Sequence, residues 1–466
     1  MNSNTNNSID RVLSTSAQPV PTCPKVNGVL VQYKEQLSTS ESTLGNSVFP
    51  EVIVQLFKPK SAVSLPVDTG YAWIVVLSSF IVQFFTLGLA YISGIYIADY
   101  IKDPMFTGYS TSEISLIGSF TTAGMPFFAI PAGNLVDRFG HRTVGIVGGV
   151  LYMLSLVLAS LSCNYWQLLL TQGVMLGLTI SIAYFPALTI VSQWFDKKKG
   201  LATGIAVGGS GIGGLVLSPI TSWMISSFGR ERALLVTGIV GGSAIILSSM
   251  AYQARLPLTK KSSDYVSLLK NSRFQLLYTL LVIATFGYLA PFFYLPSYAA
   301  DYKISSTDGA LLVGILNGAS GIGRVILGYG ADSFGHINSF TVCLLLASLS
   351  VLLIWPFAQT FPSLAVFASV YGLFVGGYVS ILPNVVIKMF GLENIGSKIG
   401  LIYSTFFFGS VFGPYIIGYL IDSSTTGNQV NYFPVILFSG ISMFIATVML
   451  AITKYLVGNY NWLTKV

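Results

Sequence analysis

From residue 71 onward the chain runs through twelve apolar stretches separated by short polar loops: 71–98, 112–136, 143–161, 166–194, 200–227, 233–252, 274–298, 310–331, 339–357, 364–390, 399–421 and 433–456. About twenty apolar residues in helical form cross the hydrocarbon core of a bilayer. Helix is the element that satisfies its own backbone polar groups within one segment there. The stretches therefore predict an all-α membrane protein of twelve spanning helices. Several contain proline, at 126, 131, 186, 219, 383 and 414; membrane helices tolerate it because neighbours satisfy the freed backbone groups. Composition agrees. A soluble chain has about 25% charged residues, whereas this one has 9%, with 53% hydrophobic residues and a mean hydropathy of +0.71.

The net charge of +7 raises nucleic acid as a partner, but the basic residues fall between apolar runs, where topology accounts for them. Arg138, Arg142, Lys197, Lys198, Lys199, Arg255, Lys260, Lys261, Lys270, Arg273, Lys388 and Lys398 follow even-numbered stretches; only Lys102, Arg230, Arg232 and Lys303 follow odd-numbered ones. Lys and Arg collect on the cytosolic side, so both termini are expected in the cytosol, with the plasma membrane as the default location and a vacuolar membrane as the other. Residues 1–67 are polar, show no cleavable signal peptide and read as a cytosolic disordered tail. A six-helix bundle over 68–253, a cytosolic linker over 254–273, a second bundle over 274–458 and a short cytosolic tail over 459–466 complete the expected organisation. The three cysteines are too far apart for a disulfide framework or a metal site, and no cofactor is expected.

The densest charge cluster is GNLVDRFGHR at 133–142. Shifted by 195 positions it reads GYGADSFGHI, so that Gly133, Asp137, Phe139, Gly140 and His141 recur as Gly328, Asp332, Phe334, Gly335 and His336. The chain's two histidines share one slot. Six helices separate the copies, so the halves have the same orientation, an architecture that sets a substrate site near midplane between them. Gly133 allows a neighbouring helix close approach, and Gly140 permits a tight turn. Asp137 is placed to face a helix N-terminus or an arginine. Arg138 and Arg142 are placed to hold headgroups or pair across the halves. Together these residues predict a gating latch. Because Arg138 and Arg142 become Ser333 and Ile337 in the second copy, the latch is expected mainly in the N-terminal half around Asp137, with Asp332 as its weaker counterpart. Both histidines are expected as solvated loop residues.

The 133–142 run resembles the loop motif of the major facilitator superfamily, Gly-x-Leu-x-Asp-Arg-x-Gly-x-Arg, at all six defining positions. DTGYAW at 68–73 and WFDKKKGLATGIA at 194–206 resemble the first-helix and fourth-to-fifth-helix motifs of monocarboxylate-transporter-type members, and VGNYNW at 457–462 is similar to their fungal branch. The resemblance spans about residues 68–458 and implies two parallel six-helix repeats working by alternating access.

Arg324 is the ionisable residue deepest within a span, and such a residue is a functional hypothesis by default. Asn317, Ser320, Gly321 and Arg324 share one helix face, which is expected to line the cavity, with the guanidinium binding a carboxylate. The resemblance implies an arginine at this point. Lactate-type carriers also have an acid one turn earlier and a lysine in the first helix; here those positions are Ser320 and Tyr91. Gln83 and Tyr91, Gln172 and Tyr184, Tyr288 and Tyr294, and Tyr378 and Asn384 lie on the four helices that line the cavity in the superfamily. Of these, Gln83, Tyr91, Gln172, Tyr184, Tyr288 and Asn384 join Arg324 and Asn317 as the expected substrate-binding set.

The expected function is secondary transport of a small organic solute resembling a monocarboxylate anion, by a monomer, with the proton as a candidate coupling ion. The alternatives are facilitated diffusion of a larger solute such as riboflavin and a non-transporting nutrient sensor on the same fold. The Gly209-x-Gly211-x-x-Gly214 spacing lies inside an apolar helix; without a preceding strand it reads as close helix packing, not a dinucleotide site. No enzyme is expected.

Overall fold

The computed structural model describes residues 66–103, 106, 108–255, 265–424 and 431–457. The expected tails, 1–67 and 459–466, lie almost wholly outside the described residues, as does part of the 254–273 linker. Twelve helical spans follow one another: α1 (Gly70–Tyr100), α2 (Thr111–Phe127 with Ala129–Phe139), α3 (His141–Ser160), α4 (Tyr165–Trp194), α5 (Lys199–Phe228), α6 (Arg230–Met250), α7 (Ser272–Asp301), α8 (Ser306–Phe334), α9 (His336–Phe357), α10 (Phe361–Phe390), α11 (Ile395–Ile421) and α12 (Phe433–Val457). Among the described residues eleven are long and apolar enough to span as they stand, and α2 spans as a bent pair.

Local chemistry sets the ends and the breaks. A capping box starts α2: Ser110 Oγ accepts the Glu113 N–H, and Glu113 accepts the Ser110 N–H at 2.7 Å. Asn271 and Ser305 cap α7 and α8. Gly140 and Gly335 stand at φ 83° and 93° in the turns after α2 and α8, a left-handed conformation that glycine adopts without a Cβ clash. α2 bends by 48° just beyond Pro126, whose missing N–H weakens the helix there. α7 breaks at Leu289 just before Pro291, and α1 breaks at Ile92 just before Ser93 and Gly94.

α1 packs on α4 and α5, and α3 packs on α6; α7 packs on α11 and α12, and α10 packs on α8 and α9. Two long seams join the sets, α5 with α8 and α2 with α11. The repeat exchanges α2 with α8 and α5 with α11, so the seams are counterparts. α1 begins and α12 ends on one face, with the turns after α2, α4, α8 and α10; we refer to it as the basic face. Apolar side chains such as Leu247, Ile322, Ile326 and Leu353 are well exposed, as expected where lipid replaces water.

The histidines differ from expectation. His141 is buried as the first residue of α3, with Nε2 3.4 Å from Gln193 Nε2, and His336 is the partly buried first residue of α9. Because each glycine turn spans a single residue, the next helix begins at the histidine and draws it inward.

Candidate functional site

The acid of each repeat copy reaches across a seam. Asp137 at the end of α2 accepts the N–H of Gly396 at 2.9 Å and of Ser397 at 2.7 Å, at the start of α11. Asp332 at the end of α8 accepts the N–H of Gly200 at 2.6 Å and of Leu201 at 2.9 Å, at the start of α5. The first amides of a helix have no intrahelical acceptor and carry partial positive charge, and a carboxylate satisfies two of them with charge-assisted bonds.

The approach depends on glycine. A Cβ on Gly133 would collide with the Gly396 carbonyl and sit 3.3 Å from Gly400 Cα; one on Gly328 would meet the Gly200 carbonyl and lie 3.4 Å from Gly204 Cα. Gly200, Gly204, Gly396 and Gly400 were not singled out from sequence. Their signal was present: Gly-x-x-x-Gly opens both α5 and α11, 196 positions apart.

The two carboxylates make the same bonds, so the geometry does not favour the N-terminal half. A carboxylate against helix amides needs no arginine. Arg138 instead lies 5.9 Å from the Phe139 ring, and neither it nor Arg142 appears among the ion pairs of the described residues.

The α5–α8 seam runs from Gly200 and Gly328, past Gly204 and Arg324, to Gly211 and Gly321. Beyond that it opens. Gly314, two turns before Gly321, would have open space around a Cβ, and Leu215 is 62% exposed. The α5–α8 seam is therefore shut at the basic face and parted toward the other.

Arg324 lies one turn inside the closed end of the seam. It is buried; one Nη donates to the Val207 carbonyl at 3.0 Å and to Ser210 Oγ, both on α5, and the other lies 3.4 Å from the Tyr91 hydroxyl. Its Nε has no protein partner, and no described carboxylate pairs with it. An isolated buried cation is costly, so this charge is held by neutral oxygens alone. Tyr91, Tyr184 and Tyr288 are its electrostatic neighbours. Tyr91 and Tyr288 are the last residues before the breaks in α1 and α7, and Tyr91 is 41% exposed. Rings from both halves extend the wall: Tyr184 to Tyr403, Tyr403 to Phe406, Phe406 to Tyr288 and Tyr288 to Tyr378, with centroids 5.5–6.0 Å apart. Gln83 is buried beside Tyr184, with both amide atoms unpartnered.

The structure thus brings Arg324, Tyr91, Tyr184, Tyr288 and Gln83 together. Asn317 bonds the Val313 carbonyl of its own helix at 3.0 Å. Gln172 accepts from Tyr100, in a cluster where Arg230 bridges Asp99 and Asp103 and stacks on the Tyr100 ring. Asn384 pairs with Thr203 across the α5–α10 contact at 3.3 Å. Gln172 and Asn384 therefore have protein partners away from Arg324. Val207 and Ser210, the oxygens that hold Arg324, carried no sequence signal, since their role comes from a crossing of helices far apart in the chain.

A family model described as Major Facilitator Superfamily matches residues 72–370 and 299–459. The aspyridones efflux protein apdF of Emericella nidulans is 29% identical over 392 residues, covering 83% of this chain and 80% of that protein. Monocarboxylate transporter 12 of Xenopus laevis is 28% identical over 423 residues, covering 84% and 90%. Among solved structures, the Major Facilitator Superfamily transporter FucP in its outward conformation matches with a TM-score of 0.63 at 16% identity, over 82% of this chain and 98% of that one. With the twelve spans, the repeated motif and the matched length in agreement, the chain belongs to the Major Facilitator Superfamily, as a transporter of its monocarboxylate-transporter-like branch.

Proposed function

We propose that this transporter carries an organic anion by alternating access, with Arg324 as the group that receives the carboxylate. The observation that supports this most is the buried guanidinium with a free Nε and, among the described residues, no carboxylate partner. A carboxylate entering from the parted face gains a bidentate partner and replaces the neutral oxygens around the charge. The gating reading rests on the two latches, which hold one face shut while the site is open to the other; a second state with the latches parted completes the cycle.

Proton symport needs a titrating group on the path. Every Asp and Glu of the twelve spans lies near a helix end, and the two charged parts of lactate-type carriers are replaced by Tyr91 and Ser320. We therefore read the transport as facilitated diffusion or exchange. The test is uptake by the purified chain in proteoliposomes, screened over labelled aliphatic and aromatic carboxylates and their neutral amides. Saturable uptake and counterflow of acids but not amides, unchanged by a protonophore, is expected. Uptake of amides alone would remove the anion reading, and collapse of accumulation on adding the protonophore would restore proton coupling.

A second reading enlarges the cargo. The aromatic wall from Tyr184 to Tyr378 favours an acid with a ring system over a short aliphatic one, and an efflux protein stands among the relatives. Preference for aromatic acids in the same screen would favour it.

We place the basic face in the cytosol, because Lys and Arg concentrate there. In intact cells an impermeant thiol reagent is expected to label Lys303→Cys and not Lys198→Cys; the reverse pattern would invert the topology.

A further inference from the structure

The DTGYAW segment and the α4–α5 junction form one clamp. The Asp68 N–H donates to the Trp194 carbonyl at 3.0 Å, and its carboxylate oxygens lie 3.4 Å from the N–H of Asp196 and of Lys197. Tyr71 packs 5.1 Å from the Trp194 ring and donates to the Ala251 carbonyl at 2.8 Å, while Trp73 meets Phe195 edge-on at 5.1 Å. Asp68 makes these bonds from a left-handed backbone, φ 58°, which Asp, Asn and Gly tolerate best.

The gripped amides, 196 and 197, each lie four residues before one of the two that Asp332 receives, 200 and 201. Two carboxylates, one from each half, thus hold successive amides around the start of α5. At the start of α11, Lys398 donates to the Phe390 carbonyl at 2.6 Å, spanning the α10–α11 turn from within.

We propose that Asp68 is a positioning residue for the α5 latch: it fixes the α4–α5 junction so that Gly200 and Leu201 present their N–H groups to Asp332. The inference rests on the alternating-access reading, since it assigns Asp68 to one of the two latches that close the basic face.

The test needs no substrate. In the full chain with its own cysteines replaced by alanine, Thr203→Cys is a reporter, because Thr203 is 1% exposed under the closed seam. Its labelling rate by an impermeant maleimide, added from the basic face, measures opening. Asp332→Asn is expected to raise the rate about 10-fold, in the range of losing a charge-assisted bond. Asp68→Gly keeps the backbone conformation and removes only the carboxylate; it is expected to raise the rate about 3- to 10-fold, with Asp68→Asn between it and the parent. Combined with Asp332→Asn, Asp68→Gly should add no more than about 2-fold, since both act on one contact, whereas with Asp137→Asn the effects should multiply. Parent-like labelling of Asp68→Gly, or multiplication with Asp332→Asn, would overturn the inference. If Asp332→Asn alone leaves labelling unchanged, the latch reading itself fails. Monodisperse elution of each variant separates opening from misfolding.

Discussion

Arg324→Met is expected to lower transport of the anionic cargo at least about 100-fold while leaving the melting temperature unchanged or raised. The two halves of this expectation have separate physical origins. Loss of transport follows because an organic anion entering the membrane interior loses hydration worth several kcal/mol, which the guanidinium offsets. Preserved stability follows because the guanidinium is itself a desolvated charge without an ion-pair partner. Replacing a buried charge by an apolar side chain of similar volume is often neutral or stabilising. Against this stand the two neutral oxygens it satisfies on α5, Val207 O and Ser210 Oγ, each about 1–3 kcal/mol if stranded. Both remain free to bond within their own helix: Val207 O already accepts the Ser210 hydroxyl at 2.8 Å. Arg324→Lys keeps the charge but not the fork that reaches Val207, Ser210 and Tyr91 together, so it is expected to recover part of the rate with a raised KM. Thermal unfolding in detergent and uptake in proteoliposomes measure the two halves. A melting temperature lowered by more than about 5 °C, with transport falling in proportion to folded protein, would make Arg324 a structural residue.

What could be read from the sequence and what could not divides along physical lines. The twelve spans were legible because an apolar run of sufficient length has one stable fate in lipid; α2 was found as one span although it is bent at Phe128. The repeat was legible because an acid, two glycines and a histidine recur at a fixed shift. Arg324 was legible because charge is rare inside a span. What was not legible is partnership. Nothing in GNLVDRFGHR says that Asp137 meets Gly396 and Ser397, about 260 residues away; of the two partners the sequence offered, a helix N-terminus or an arginine, the structure shows the first. Gln172 and Asn384 lie on cavity-lining helices but on faces that meet Tyr100 and Thr203, since membership of a helix does not fix which face turns inward. Arg230, counted from sequence as a loop charge, is a largely buried bridge between two aspartates. DTGYAW and WFDKKKG, read as two separate marks of the branch, are the two sides of one contact.

The second large effect is steric. Gly133→Val and Gly328→Val are each expected to abolish transport and to hold the protein with its basic face open. At both positions the added Cβ meets the backbone carbonyl of a facing glycine, not the end of a side chain that is able to move. Relief therefore requires the helices to separate, and overpacking of this kind costs about 1–3 kcal/mol even where the surroundings relax. The latches beside each glycine contribute a comparable amount, two charge-assisted bonds per seam, and they depend on the same approach: a seam spread by a methyl group lengthens the bonds from Asp137 or Asp332. The clash and the lost bonds thus add to several kcal/mol, enough to turn a closed state favoured by about 2–3 kcal/mol into the minor one. Each half keeps its own helix contacts, so folding should survive. Alanine tests the same idea with a smaller group, and Gly133→Ala with Gly328→Ala together should reproduce what either valine does alone. The readouts are uptake and the labelling rate of Thr203→Cys. Normal uptake with slow labelling in Gly133→Val would show that the seam yields to a side chain, and that glycine there does not set the closed state.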